Sequence, residues 1–479
     1  MPAAISSPPP DLLRRLADLL GPKGYSDDPA DLDPWLTDWR GRYRGRAAAM
    51  LSPASTEEVS ELVRLCAAAG VPLVPQGGNT SMVGGATPDA GGGALLVSLR
   101  RMRAIRTLDR EANLAVCEAG VVLETLHDAA LGVGRRFPLS LAAKGSATIG
   151  GLVSTNAGGT QVLRFGTMRS LVQGIEAVLP DGSVFAGLSP LKKDNRGYNL
   201  TQLLIGAEGT LGIVTAASLK LVPAAGPRVV AWAGLASADD ALRLLRHLDA
   251  AVGDVVESFE LVPRNALDLV LAHVPGTRAP LAEPTPWNVL IEAVAPMAAR
   301  SPEKPLYGAL LSALEIGIVQ DVAIAGSEAQ AADFWRLRET ISEAERQHGP
   351  AAKHDISVTV EQMPGFMTGA AAEVEARFPG TMVIAFGHLG DGNIHFNVAA
   401  PPGAGADWVE GEAQAVTALV HDLVTGAGGS ISAEHGIGQM KLAELIRLGE
   451  PARLGAMRAI KQALDPGHIM NPGKLVPGA

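Results

Sequence analysis

Three glycine clusters govern the first half of the chain: PQGGNTSMVGG at 75–85, KGSATIGGLVSTNAGG at 144–159 and GAEGTLGIVT at 206–215. Glycine has no Cβ and tolerates positive φ, so loops of this kind let backbone N–H groups approach an anion closely. Hydroxyls stand among them at Thr80, Ser81, Ser146, Thr148, Thr155 and Thr210. A long ligand carrying a diphosphate would use all three clusters. None reads GxGxxG behind a first strand with an acidic residue about 20 positions on, and none reads GxxxxGK[ST]. A Rossmann nicotinamide site and a P-loop are therefore disfavoured.

Around these loops the chain reads as α+β. DLLRRLADLL and STEEVSELVRLCAAAG carry apolar residues at helical spacing, and Ser55-Thr56-Glu57-Glu58 opens the second like a capped helix. Runs such as ALLVSL, LAVCEAG, GIEAVLP and LGIVTAASLKLV read as strands. LVPAAGPRVV at 221–230 marks a boundary, and beyond it DDALRLLRHLDAAVG and AADFWRLRETISEAERQ alternate with strands such as TMVIAFGH. A length of 479 residues also exceeds one ordinary core, since domains run to roughly 100–200 residues. The expected division is 1–222, 223–454 and a tail, 455–479, that packs back on the first part.

Charge narrows the partners. A net charge of −10 with no run of Lys or Arg offers no footprint for nucleic acid. Cys66 and Cys117 are too far apart for a CxxC pair and too few for a disulfide scaffold, so both are expected to be buried and inert. The N-terminus lacks the order of a secretory signal, and no apolar stretch of about 18 residues occurs, which suggests a cytoplasmic protein.

GHLGDGNIHFNV at 387–398 places His388 and His395 about an Asp391-Gly392 turn. A two-residue hairpin there would set His388 directly opposite His395, close enough for both imidazoles to hold one ion. Asn397 would share the face of His395. Two histidines alone fit an ordinary hairpin equally well. GSISAEHGIG at 429–438 adds a carboxylate, Glu434, and an imidazole, His435, that titrates near neutral pH.

These motifs, with KDNRGYNLTQLLIGAEGTLGIVT, resemble the flavoproteins of the vanillyl-alcohol-oxidase type, and within them the FAD-dependent D-2-hydroxyacid dehydrogenases, D-2-hydroxyglutarate dehydrogenase above all. The resemblance runs from about residue 45 to 475. It implies a two-domain flavoprotein with an N-terminal FAD-binding domain of the PCMH type and a C-terminal α+β substrate domain built on an antiparallel sheet. Pro75, Gly77, Gly78, Asn79, Thr80 and Ser81 would surround the FAD pyrophosphate. Ser146, Gly150, Gly151, Asn156, Gly158, Glu208, Gly209 and Ile213 would line the rest, with Asn471 and Lys474 reaching back from the tail. The first loop holds Asn79 and no His, so FAD is expected to be non-covalent.

By the same resemblance His388, His395 and Glu434 bind a divalent metal, zinc first, although manganese, cobalt or ferrous iron would accept the same ligands. His435 is the candidate general base, or else it orients Glu434. Arg338, Ser342, Lys353 and Asn397 would bind substrate, with Arg338 and Ser342, four apart, expected on one helical face. Two cations and a metal suggest a dicarboxylate such as D-2-hydroxyglutarate, with D-lactate and glycolate as alternatives. The implied partners are the small hydroxy acid and an electron acceptor such as electron-transfer flavoprotein or a quinone chain, with a homodimer as one possible assembly. A metallohydrolase using the same three ligands would be colourless instead of yellow.

Overall fold

The structure, a computed structural model, describes residues 7–476 apart from Lys192 and residues 297–300. Its chain gathers into two compact units. Met1–Gly159, Gly166–Pro223 and Glu434–Ala479 form one, while Thr160–Phe165 and Ala224–Ala433 form the other. The chain rejoins the first unit at Glu434, earlier than the tail expected from residue 455, because backbone beyond Glu434 is hydrogen-bonded into the first unit.

In the first unit a four-stranded sheet runs Tyr25–Ser26, Met50–Leu51, Leu95–Ser98, Leu73–Gln76, parallel except at the first pair. The helix Thr56–Ala69 lies against it. Ser55 accepts the Glu58 N–H at 3.2 Å, Glu58 accepts the Ala54 N–H at 2.7 Å, and Gly70 ends the helix in the left-handed region. Val59, Leu62, Val63 and Cys66 are fully buried in one cluster with Leu73, Leu95 and Val97. Truncating such a leucine to alanine costs about 2–5 kcal/mol. A second, antiparallel sheet orders Ile105–Asp109, Leu114–Glu118, Ile213–Lys220, Val172–Val178 and Val184–Gly187. Burial pushes the Cys66 and Cys117 thiols up to about 12, so both stay protonated.

The C-terminal segment is tied in by a buried cation. Lys461 Nζ donates to Thr210 O, Met470 O and Asp465 Oδ2 at 2.7, 2.7 and 2.6 Å, which uses all three of its protons. Leu73 then pairs with the tail, its N–H donating to Ile469 O and its O accepting from the Asn471 N–H. The GAEGT loop and the chain end are thereby held together.

The second unit is built on one antiparallel sheet of seven strands, in the order Asp321–Ile324, Ala225–Leu235, Trp287–Pro296, Val256–Pro263, Met382–His388, Asn393–Ala399, Ala351–Ser357. One face is covered by the helices Arg264–His273, Glu328–Glu339 and Ile341–His348. Trp232, Leu290, Phe334, Leu337, Ile341, Ile384 and Phe386 form its apolar core. The polar residues discussed below lie on this same face, toward the Ala351–Ser357 edge. No helix among the described residues is long and apolar enough to cross a membrane.

Candidate active site

The three glycine clusters wall one cavity of the first unit, about 650 Å³ in volume, within the range of roughly 300–1,000 Å³ typical of ligand sites. Its narrowness depends on missing side chains. A Cβ on Gly78 would stand 1.8 Å from the Ser146 carbonyl oxygen, and one on Gly77 would stand 2.2 Å from Thr148 Oγ1. That Thr148 hydroxyl and Gln76 Oε1 are buried in the lining without a hydrogen-bond partner, so polar atoms there await a ligand.

Most residues expected around the cofactor line this cavity, but Asn156, Asn471 and Lys474 do not. Asn156, at φ 48°, accepts hydrogen bonds from the Thr167 hydroxyl and the Arg169 N–H, and so caps a turn. Asn471 Nδ2 donates to Gly85 O at 2.9 Å and Glu208 O at 2.7 Å, tying two loops together. Burial pushes the Lys474 amine down to about 8, against the pull of Asp89.

Glu208 lines the cavity, yet its carboxylate is committed to the chain. Its oxygens accept the N–H groups of Ile437 at 2.8 Å and Gly438 at 2.7 Å. Burial raises its pKa, and those two N–H groups and Lys441 offset part of the rise. A Cβ on Gly436 would stand 2.7 Å from Glu208 Oε1, so glycine is needed for the loop to close on this carboxylate. The loop so held carries Glu434 and His435, and both line the same cavity.

In the second unit the histidine hairpin differs from the expected register. Its loop has four residues, 389–392, so His388 pairs with Asn393 and His395 pairs with Phe386. The cause is Leu389, whose N–H donates to Phe259 O on the neighbouring strand and which is fully buried there. Residue 389 is thus held to the sheet and cannot enter a two-residue turn. A shift of two residues keeps every side chain on its face. His388 and His395 are consequently diagonal neighbours, with ring centroids 5.5 Å apart and one nitrogen of each within 4.8 Å of the other.

Glu260 stands directly opposite His388 on the Val256–Pro263 strand, and His388 Nδ1 lies 2.6 Å from its Oε1. Arg338 donates to the same carboxylate through Nε and Nη2, both 2.8 Å from Oε2. Burial pushes this carboxyl upward, but the charges and hydrogen bonds of His388 and Arg338 prevail and hold it at about 2. The guanidinium also lies 4.7 Å above the Phe386 ring, which locks it against the sheet.

The other expected substrate residues fall into two groups. Lys353 and Asn397 are paired across neighbouring strands on the face that carries His395. Both reach the buried carboxylate of Glu345, Lys353 Nζ at 2.8 Å and Asn397 Nδ2 at 2.8 and 2.9 Å. Ser342 does not join Arg338 as expected. The helix breaks at Thr340, and the buried stripe Phe334, Leu337, Arg338, Ile341, Ala344, Glu345 leaves Ser342 just past its edge, exposed.

Residues 226–475 match the family described as FAD linked oxidases, C-terminal domain, and residues 47–186 match an FAD binding domain. A D-2-hydroxyglutarate dehydrogenase of Xanthomonas citri pv. viticola is 39% identical over 94% of this chain and 93% of its own length. The mitochondrial enzyme of that name from Arabidopsis thaliana is 37% identical over 96% of this chain and 80% of its own. The chain belongs to the FAD-dependent D-2-hydroxyacid dehydrogenases. This dehydrogenase also shares its fold with p-cresol methylhydroxylase, at a TM-score of 0.71 and 14% identity, covering 97% of this chain and 96% of that one.

The dehydrogenase contains two carboxylates that sequence reasoning missed, Glu260 and Glu345. Glu260 lies in FELVP, an apolar run with one acid, and its partners are 78 and 128 residues away. Charges inside a buried strand, Glu257 and Glu260 in VESFELVP, were the available signal, since such groups need partners. Glu345 sits in a helix with one other acid, Glu343, and only its place on the apolar stripe with Ile341 and Ala344 distinguishes it.

Proposed function

We propose that the dehydrogenase holds FAD without a covalent bond in the glycine-walled cavity. We further propose that it holds a divalent ion, zinc first, on His388, His395 and Glu434, and oxidises a D-2-hydroxy acid to the 2-oxo acid. The observation that carries the reading is the loop Glu434–Gly438. Its acid and imidazole line the flavin-sized cavity, and Glu208 fixes its backbone from within that cavity's wall. Continuity of the chain supports Glu434 as the third ligand. Ala433, its neighbour, donates its N–H to Asp355 O, and Asp355 is the strand partner of His395. Consecutive Cα atoms are only about 3.8 Å apart.

The donor set fits an ion. Metal-binding imidazoles commonly give their second nitrogen to a carboxylate, which sets tautomer and ring orientation. Glu260 offers that contact to His388 Nδ1 and leaves Nε2 as the coordinating atom. Two imidazoles and one carboxylate keep positions open for substrate, as in catalytic zinc sites.

When bound, the flavin would supply the two-electron acceptor at N5 and the ion would acidify the substrate hydroxyl. His435 takes the hydroxyl proton as the C2 hydrogen departs with its electron pair, leaving the 2-oxo acid. Glu208 keeps His435 in place by fixing the backbone that follows it. Names of relatives put D-2-hydroxyglutarate first among the acids to test, with D-lactate and glycolate as smaller alternatives. The charge argument for a diacid weakens, since Arg338 and Lys353 each already face a carboxylate.

Anaerobic mixing of the purified yellow protein with D- and L-2-hydroxy acids tests this reading. Bleaching of the flavin by a D-acid and not by its L-enantiomer is expected. A flavin that no D-2-hydroxy acid reduces would overturn it.

A further inference from the structure

Two residues of the third glycine cluster are held from outside the cavity they wall. Glu208 and Gly209 both line it, and both lie in the left-handed region, at φ 50° and 72°. Glycine adopts that conformation freely, but a glutamate there is strained and persists only where its surroundings fix it. The chain end does the fixing. Asn471 Nδ2 donates to Glu208 O at 2.7 Å and Lys461 Nζ donates to Thr210 O at 2.7 Å, so the C-terminal segment takes the carbonyls on both sides of Gly209. Neither Asn471 nor Lys461 lines the cavity.

The same segment holds a second part of the wall. Asn471 gives its other amide proton to Gly85 O at 2.9 Å. Its backbone N–H donates to Leu73 O, and the Leu73 N–H donates to Ile469 O. Leu73 begins the strand that supplies Pro75 and Gln76 to the lining. The two parts meet closely: a Cβ on Gly209 would stand 2.5 Å from Pro75 Cγ. Lys461 is 1% exposed, and Asp465 matches its charge while accepting the N–H groups of Ile469 and Met470. A buried cation needs such a partner, and here the partner also shapes the turn that delivers Asn471.

We infer that the C-terminal segment sets the affinity for FAD through the loops it ties. Asn471 and Lys461 are positioning residues that keep the Glu208–Thr210 loop against the Pro75 strand. The inference rests on the proposed non-covalent binding of FAD in this cavity and adds what holds the cavity to shape. Walls fixed in advance raise affinity, because the ligand need not order them. Linkage makes the effect reciprocal: if a docked tail favours FAD, bound FAD favours the docked tail by the same factor.

The test strips flavin from the purified full-length protein and titrates FAD back into native, Asn471→Gly and Lys461→Met apoprotein. Glycine keeps the positive φ of residue 471 and removes both side-chain donors. Both variants should bind FAD about 10- to 100-fold more weakly. A role confined to folding would lower the melting temperature and leave the Kd of folded apoprotein unchanged. Hydrogen exchange supplies the second measurement, at the N–H groups of Asn471 and Leu475, which donate to Leu73 O and Gly438 O. In native protein, under conditions where the helix Thr56–Ala69 does not exchange, FAD should slow both by about 10- to 100-fold. An FAD affinity within about twofold of native in variants that fold would overturn the inference, as would tail exchange that FAD leaves unchanged. If neither variant folds, the exchange measurement decides alone. Native apoprotein that takes up no FAD ends the proposed cofactor site and this inference with it. FAD bound equally by native protein and variants ends the inference alone.

Discussion

The cavity of the first unit and the polar face of the second are made by different means. Backbone walls the cavity: glycines at 77 and 78 let chain segments approach where a methyl group would collide, and unpaired polar atoms remain inside. Side chains build the polar face, where Glu260 is matched to Arg338 and His388, and Glu345 to Lys353 and Asn397. The first arrangement leaves the Thr148 hydroxyl and the Gln76 amide oxygen without partners in its lining. The second matches its cations Arg338 and Lys353 to its own acids.

The largest effect should come from the histidines of the second region. His388→Ala is expected to lower kcat/KM for the D-acid by about 10³-fold or more while the flavin stays bound, because an ion held there would contribute several kcal/mol and His388 does not line the cavity. Steady-state kinetics with a flavin count checks this. Loss of flavin together with activity would erase the distinction between the regions.

Gly78→Ala probes the first region in the opposite sense. A methyl group 1.8 Å from the Ser146 carbonyl must displace backbone, at a cost of about 3 kcal/mol or more. Thermal melting and the flavin-to-protein ratio should both fall, with metal content per folded molecule retained.

Glu260→Gln sharpens the account of the second region. Removing the carboxylate that orients a ligand histidine should weaken metal binding by about 10- to 100-fold, and Arg338, left buried without its acid, should cost about 3 kcal/mol of stability. Metal titration followed by elemental analysis reads the first effect, and urea unfolding reads the second.

The smallest effect concerns Lys474. Its folded pKa, near 8, lies below the ordinary 10.5, so the fold disfavours its charged form. This penalty is fully present below pH 8 and fades as pH rises toward 10.5, because the unfolded chain then binds more protons than the folded one. Lys474→Met should accordingly stabilise the protein at pH 7 by about 1–3 kcal/mol, and the gain should shrink above pH 8. A loss of flavin in this variant would instead place the amine at the cofactor.

Legibility in the sequence followed the same division. Local chemistry was readable: the Ser55 cap, the strands of the first unit and the glycine loops all announce themselves within a few residues. The hairpin was half readable. Alternation put His388 and His395 on one face, but the burial of Leu389 against Phe259, which sets the four-residue loop, depends on a strand more than a hundred residues earlier. Ser342 was misplaced because spacing of four does not fix where a buried stripe ends. Glu260 and Glu345 were only faintly marked for a related reason, since the worth of a buried acid depends on partners that only the folded sheet brings near.

The central claim is that one ion on His388, His395 and Glu434 makes the hydroxyl acidic enough for oxidation. Stripping the purified protein with a chelator, then following anaerobic reduction of its flavin by a D-2-hydroxy acid before and after zinc is restored, tests it most directly. The account predicts reduction slowed by about 10³-fold on stripping and recovered on restoration. Equal rates in stripped and restored protein, with flavin fully bound in both, would contradict it.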